Sequence, residues 1–75
     1  FTPEFTLYPN PTNGQFYLVI AGDFEAQLFD YSGKLILKRQ AIDKAEFDIN
    51  NLANGLYYIV IHQNEQIFKT KIIKE

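Results

Sequence analysis

The chain has 75 residues, 47% of them hydrophobic and 16% aromatic, which predicts one small folded domain and argues against disorder. It contains no cysteine, which excludes a disulfide framework and a thiolate zinc site. A formal net charge of −2 does not fit the basic surface of a nucleic-acid-binding protein, and the longest apolar run, 56–61, is too short for a membrane-spanning helix.

Turn-forming residues divide the chain into seven expected strands. The first, 5–8, ends at the loop 9–14, where two prolines and an Asn-Gly pair interrupt extended structure. Strands at 14–20 and 24–31 follow, with a turn expected between them at 21–23. After the strand 24–31, the residues 32–34, Ser-Gly-Lys, predict a tight hairpin in which Gly33 adopts a positive φ.

The second half of the chain adds strands at 35–40, 45–49, 56–62 and 66–74. Leu52 is the one large apolar residue of the loop 50–55, so we expect it to plug an open end of the core. Alternation of apolar and polar residues places one set of side chains inside: Phe16, Leu18, Ile20, Phe24, Ala26, Leu28, Phe47, Ile49, Tyr57, Ile59, Ile61, Phe68, Thr70 and Ile72. The pattern predicts an all-β domain with the architecture of a seven-stranded immunoglobulin-like β-sandwich.

No arrangement of residue types indicates a catalytic centre, a metal site or a bound cofactor. His62 is the one histidine, and we expect it to be a polar residue on the outward side of its strand. The acidic residues do not follow the D-x-D-x-D-G spacing of a calcium loop, and the four glycines are dispersed over turns. Asp30 is expected to bond the backbone of the hairpin turn. The sequence therefore predicts a protein that is not an enzyme.

Four segments resemble, in order, the motifs of one family, the C-terminal sorting domain of the type IX secretion system, also called the Por secretion system. Segment 7–16, LYPNPTNGQF, resembles its opening motif YPNP-x-x-G-x-F. The segments 28–34, 47–59 and 71–74 resemble its hairpin, its D-(I/L)-(S/N)-x-L-x-x-G-(V/L)-Y block and its K-hydrophobic-hydrophobic-K terminus. The departures are Phe29, where Tyr is usual, and Asn50, where Ser is common.

The resemblance implies that residues 1–75 are a single C-terminal sorting domain excised from a larger secreted protein. Such a protein crosses the inner membrane with an ordinary leader, and the type IX translocon then moves the folded cargo across the outer membrane to the cell surface or medium. A surface sortase usually removes the domain, with the cut expected before or near Phe1. The expected partners are thus the translocon, the sortase and the N-terminal cargo of the same chain, with no nucleic acid and no integral membrane segment.

The resemblance and the charge pattern together select two groups of residues. The expected recognition residues are Pro9, Asn10, Pro11, Gly14, Lys69, Lys71 and Lys74. The expected structural residues of the motifs are Asp30, Gly33, Lys34, Leu52, Gly55 and Tyr57. The lysines have an alternative explanation, because lysines on an exposed edge strand discourage aggregation. An unpaired terminal strand at 66–74 could be recognised by strand addition, and it would also allow a strand-mediated dimer of the isolated domain.

Two other functions remain open at the level of sequence. A carbohydrate-binding or adhesive module would need an exposed aromatic platform, for which alternation offers the scattered candidates Tyr17, Phe29 and Tyr58. A structural spacer domain could stand anywhere in a longer chain, whereas a sorting domain should end it.

Overall fold

The computed structural model describes residues 5–75, and strands are the regular secondary structure found in that range. There are five: β1 (Thr6–Tyr8), β2 (Gln15–Asp30), β3 (Leu35–Asp48), β4 (Gly55–Gln63) and β5 (Gln66–Lys74). Within residues 5–75 no helix is long and apolar enough to cross a membrane. The all-β prediction is confirmed, whereas the count of seven strands is not.

The number of strands differs because the chain does not reverse at two expected strand breaks, 21–23 and 41–44, so that four expected strands merge into β2 and β3. Val19 pairs with Lys44, and the next pair is Asp23 with Ile42, so three residues of β2 lie opposite the single residue Asp43 of β3. Asp43 has a φ of +68°, and its carboxylate accepts a hydrogen bond of 2.8 Å from the Gly22 amide. The residues expected to form a turn at 21–23 therefore form a bulge, which bends two long strands instead of ending them.

The bent strands give one curled sheet that folds over its own core. The strand order is β1-β2-β4-β5, with β3 on the free side of β2, and every strand pair is antiparallel. Residues 15–19 of β2 and 44–48 of β3 form a three-stranded layer with β1. The remaining parts of β2 and β3, from 23 to 30 and from 35 to 42, form a four-stranded layer with β4 and β5, in the order β3-β2-β4-β5. We use these two layer names below.

The core lies between the layers, and it is built from alternate side chains of each strand. Phe16 of β2 and Phe47 of β3 are fully buried and stack with ring centroids 4.9 Å apart. Of the side chains predicted to lie inside, Phe68 and Thr70 are half-buried and the others are buried. Leu52 packs against this cluster from the loop between β3 and β4. Two polar residues are also buried, Thr12 and Lys74, and they meet where the loop 9–14 touches β5.

Candidate recognition surface

The side chain of Asn10 joins the loop 9–14 to the outer edge of β5. Its Nδ2 donates to the Lys71 carbonyl oxygen at 2.9 Å, and its Oδ1 accepts from the Ile73 amide at 3.1 Å. One amide group thus satisfies a backbone acceptor and a backbone donor of the terminal strand, as a neighbouring strand would. The two partners are 61 and 63 residues away in sequence, so the contact exists only in the folded domain.

Thr12 continues the same contact towards the end of the chain. Its amide donates to the Ile73 carbonyl oxygen at 2.8 Å, and its carbonyl oxygen accepts from the Glu75 amide at 2.9 Å, which makes a parallel bridge to β5. The Thr12 hydroxyl is buried, where it donates to the Gln15 carbonyl oxygen and accepts from the Gly14 amide. Because its hydrogen-bonding capacity is used locally, the hydroxyl fixes the shape of the loop that reaches β5.

Gly14 is the position at which the loop meets the end of β3. Its φ is +145°, a conformation that residues with a Cβ rarely adopt, and an added Cβ would lie 2.0 Å from Oδ1 of Asn50. The Asn50 side chain is held there by the Asp48 carboxylate, which accepts from Asn50 Nδ2 at 2.7 Å and from its amide at 3.0 Å. These bonds lower the pKa of Asp48, the backbone bond contributing most. The strained φ and the close approach of the Asn50 side chain therefore both disfavour a residue with a Cβ at position 14.

The two prolines of the loop lie on its exposed side. Both peptide bonds that precede them, Tyr8–Pro9 and Asn10–Pro11, are cis. Their rings line an open depression together with Thr12, Asn13 and Glu75. The structure thus brings the rings of Pro9 and Pro11 beside the last residue of the sequence.

The three lysines selected from the sequence have different surroundings. Lys69 and Lys71 are exposed and project from the outer side of β5, on alternate positions. Lys74 is buried, and its Nζ donates to the Leu52 carbonyl oxygen at 2.7 Å. The structure therefore places Lys74 as a tie between β5 and the loop before β4, with its ammonium group bonded within the domain.

The structural residues of the hairpin between β2 and β3 surround the Asp30 carboxylate. Its Oδ1 accepts from the Ser32 hydroxyl at 2.6 Å, from the Ser32 amide at 2.9 Å and from the Lys34 amide at 3.0 Å. These bonds favour the charged form, so they lower the pKa of Asp30, with the Ser32 hydroxyl contributing most. Gly33 closes the turn with a φ of +93° and donates its amide to the Asp30 carbonyl oxygen.

Tyr57 lies at the same end of this layer, on β4 directly opposite Asp30 of β2. Its side chain is buried, and its hydroxyl donates to the carbonyl oxygen of Ala53, four residues earlier. A tyrosine hydroxyl that bonds back to the backbone a few residues upstream also occurs in β-sandwich proteins, where it is called a tyrosine corner. Gly55 starts β4 opposite Lys74, so this corner is tied directly to the terminal strand.

Polar residues outside the loop and β5 make contacts within the domain. Among residues 5–75 there is no group of three or more potential ligands that could hold a metal ion. His62 projects outward from β4, and its Nε2 lies 3.3 Å from Oε1 of Gln27. The carboxylates of Asp30 and Asp48 bond turn backbone, which is a structural use of charge.

Sequence reasoning missed two residues of this surface, Thr12 and Asn50. A local signal exists for each of them. Thr12 precedes Gly14 by two positions, and Asp48 precedes Asn50 by two, which are spacings at which hydroxyl and carboxylate side chains bond nearby amides. Neither signal indicates the long-range partner, because that depends on the pairing of distant strands.

Comparison with protein families shows which family the chain belongs to. The family model of the secretion system C-terminal sorting domain matches residues 6–75. The chain belongs to this type IX sorting domain family. No curated protein matches the chain in sequence. The sorting-domain family is not an enzyme family, and membership implies interaction with the type IX secretion machinery and export to the cell surface or extracellular space.

Proposed function

We propose that this sorting domain is the address of a longer secreted polypeptide, and that the machinery recognises the loop 9–14 and strand β5 as one surface. The observation that supports the proposal is the set of hydrogen bonds from Asn10 and Thr12 to the outer edge of β5. The opening motif and the terminal motif are the two ends of the family pattern, and these bonds hold them side by side.

A composite surface of this kind has a physical consequence for sorting. The bonded residues of the loop and the strand are more than 60 residues apart in sequence, so an unfolded chain does not display them together. Recognition then depends on folding, which suits a pathway that exports folded cargo. Lys69 and Lys71 project from the same strand and add two positive charges beside the loop.

The route and the fate of the domain are also part of the proposal. The cargo lies N-terminal in the same chain, it passes through the periplasm, and a surface sortase removes the domain after translocation. The expected cleavage position near Phe1 lies outside the described residues. The relation of the curled sheet to an immunoglobulin-like sandwich is likewise proposed, and the tyrosine corner at Tyr57 supports it.

Strand addition to β5 remains a hypothesis, and the structure narrows where it can happen. The outward backbone groups of Lys71, Ile73 and Glu75 already bond Asn10 and Thr12. A partner strand, or a second copy of the domain, would therefore have to displace the loop to pair along the whole of β5. The first half of β5, around Ile67 and Lys69, makes no such bonds to the loop.

The proposal is tested by a fusion of residues 1–75 to a fluorescent cargo with a periplasmic leader. The fusion is expressed in a host with the type IX system and in the same host without its translocon. We expect cargo at the surface or in the medium only in the intact host. Cargo that stays in the periplasm of both hosts, although the domain is folded, would refute the proposal.

A carbohydrate-binding or adhesive module is the second candidate, and one aromatic pair favours it. Tyr8 and Tyr17 lie side by side on the three-stranded layer with ring centroids 5.4 Å apart, and Tyr8 is 41% exposed. The ammonium group of Lys44 sits 4.6 Å from the centroid of the Tyr17 ring, however, and occupies part of the platform that a sugar would need. Glycan binding that is lost in Tyr8→Ala would support this function, and no binding would remove it.

A further inference from the structure

The outer face of the four-stranded layer carries a continuous apolar band. Phe29 of β2 lies between Leu35 of β3 and Tyr58 of β4, and the adjacent pair, Leu56 and Ile73, extends the band to β5. Tyr58 and Ile73 point away from the core because the residues on both sides of each are buried, and Phe29 and Leu56 each adjoin one buried residue. Leu35 is exposed and is the Cα partner of Phe29. Leu35 and Ile73 are each 45% exposed, and Tyr58 is 39% exposed. We call these five residues the apolar band.

Lysines border the apolar band at both edges of the layer. On β5, Lys71 lies opposite Tyr58 and Lys69 opposite Val60, and on the other edge Lys38 of β3 lies opposite Gln27. All three lysines are exposed. The carboxylates nearest to the band on this face are those of Glu25, one row beyond the lysines and opposite His62, and of Glu75, two residues after Ile73 and directly after β5. A chain of formal net charge −2 therefore presents a positive rim here.

The outer face of the three-stranded layer has a different charge pattern. Glu46 and Asp48 project from β3 there, and Lys44 is engaged with the ring of Tyr17. Gln15 uses its amide to bond the Glu46 carboxylate at 3.1 Å. The positive rim around apolar side chains is thus a property of one face of the domain and not of its surface in general.

We propose that the apolar band and its three lysines dock a folded protein partner that has an apolar centre and an acidic rim. The inference rests on the proposed function, because it adds a partner chemistry and extends the recognised surface from β5 across the outer face of the four-stranded layer. Charge complementarity selects the acidic rim, since lysines at both edges would repel a basic partner. Four strands spaced by about 4.8 Å give a face of a few hundred Å². That area is below the roughly 800 Å² per partner of a stable complex, so the docking is transient.

The experiment places a photo-crosslinking amino acid at position 58 of the cargo fusion, and at position 17 as the matched control on the other layer. Both fusions are irradiated in living cells that contain the type IX system. The Tyr58 position is then combined with Lys38→Glu, Lys69→Glu and Lys71→Glu, or with Lys44→Glu as the charge control. Thermal melts of the purified domains show that each variant is folded, and export of the cargo is measured in the same cultures.

We expect a protein adduct from position 58 whose crosslinked peptide is acidic. The triple charge reversal should reduce its yield about tenfold, whereas Lys44→Glu should leave it unchanged. The inference would be overturned by an adduct only to lipid, by an adduct only from position 17, or by an adduct yield from position 58 that the triple reversal leaves unchanged. An adduct from position 58 in cells that never export the cargo would leave the inference standing and remove the proposed function. Export of the cargo without a charge-dependent adduct would overturn the inference and leave the proposed function standing.

Discussion

Replacing Asn10 with Ala removes the side chain that joins the opening loop to β5. Two hydrogen bonds are lost, one to the Lys71 carbonyl oxygen and one from the Ile73 amide. A net hydrogen bond contributes about 0.5–1.5 kcal/mol, and both bonds are exposed, so water can replace the lost partner in part. We therefore expect a loss of about 1–2 kcal/mol in the free energy of unfolding. For a domain of 75 residues this lowers Tm by about 5–12 °C.

The assay combines urea and thermal unfolding with hydrogen exchange of single amides. Asn13→Ala is the matched control, because the Asn13 side chain is exposed and makes no hydrogen bond to the described part of the chain. The amide of Ile73 should exchange faster in Asn10→Ala, while amides at the centre of β4 should change only by the global loss of stability. Equal Tm values for the two variants, together with unchanged exchange at Ile73, would refute the role given to Asn10.

Three further changes test other parts of the account. Gly14→Ala should lower the free energy of unfolding by about 1–3 kcal/mol in urea melts, and Asn50→Ala in the same chain should recover only the part due to contact, because the strained φ remains. Lys74→Met should lower it by about 1 kcal/mol and Lys71→Met by less than about 0.5 kcal/mol; equal effects would contradict the buried tie. The bonds from Ser32 and Lys34 hold the pKa of Asp30 below its ordinary value, so the stabilising effect of the carboxylate is present above that ordinary value and disappears as the pH falls through the lowered pKa. The urea midpoints of wild type and Asp30→Asn should therefore differ at neutral pH and converge in acid. A difference that persists in acid would contradict the claim that the charged Asp30 carboxylate stabilises the turn through its hydrogen bonds.

Alternation within strands was readable from the sequence because it reflects a purely local property of extended chain. Phe16, Phe47 and Ile59 are buried where the period of two places them, and Tyr58 is exposed beside buried Tyr57. The same period extends from Ile72 to Lys74 and so contained the signal for its burial. That signal was overlooked because lysine is rarely buried unless its ammonium group finds a partner.

The continuity of β2 and β3 could not be predicted in the same way. Gly22 and Asp23 have the composition of a turn, and the same residue types serve a bulge equally well. The choice depends on Asp43, which lies about 20 residues away and bonds the Gly22 amide only after the strands have paired. The contact of Asn10 with β5 depends on distant pairing for the same reason.

The most direct test of the central claim is the export of two fusions that differ in one asparagine. Asn10→Ala and Asn13→Ala are placed in the fluorescent cargo fusion and grown at a temperature well below the lower Tm, so both domains are folded. If the loop and β5 are recognised as one surface, Asn10→Ala should reduce the exported cargo at least about fivefold, and Asn13→Ala, which keeps the contact with β5, should reduce it clearly less. Faster hydrogen exchange at the Ile73 amide shows that the contact is lost in Asn10→Ala. Equal export of the wild-type, Asn10→Ala and Asn13→Ala fusions under that condition would contradict recognition of the loop and β5 as one surface.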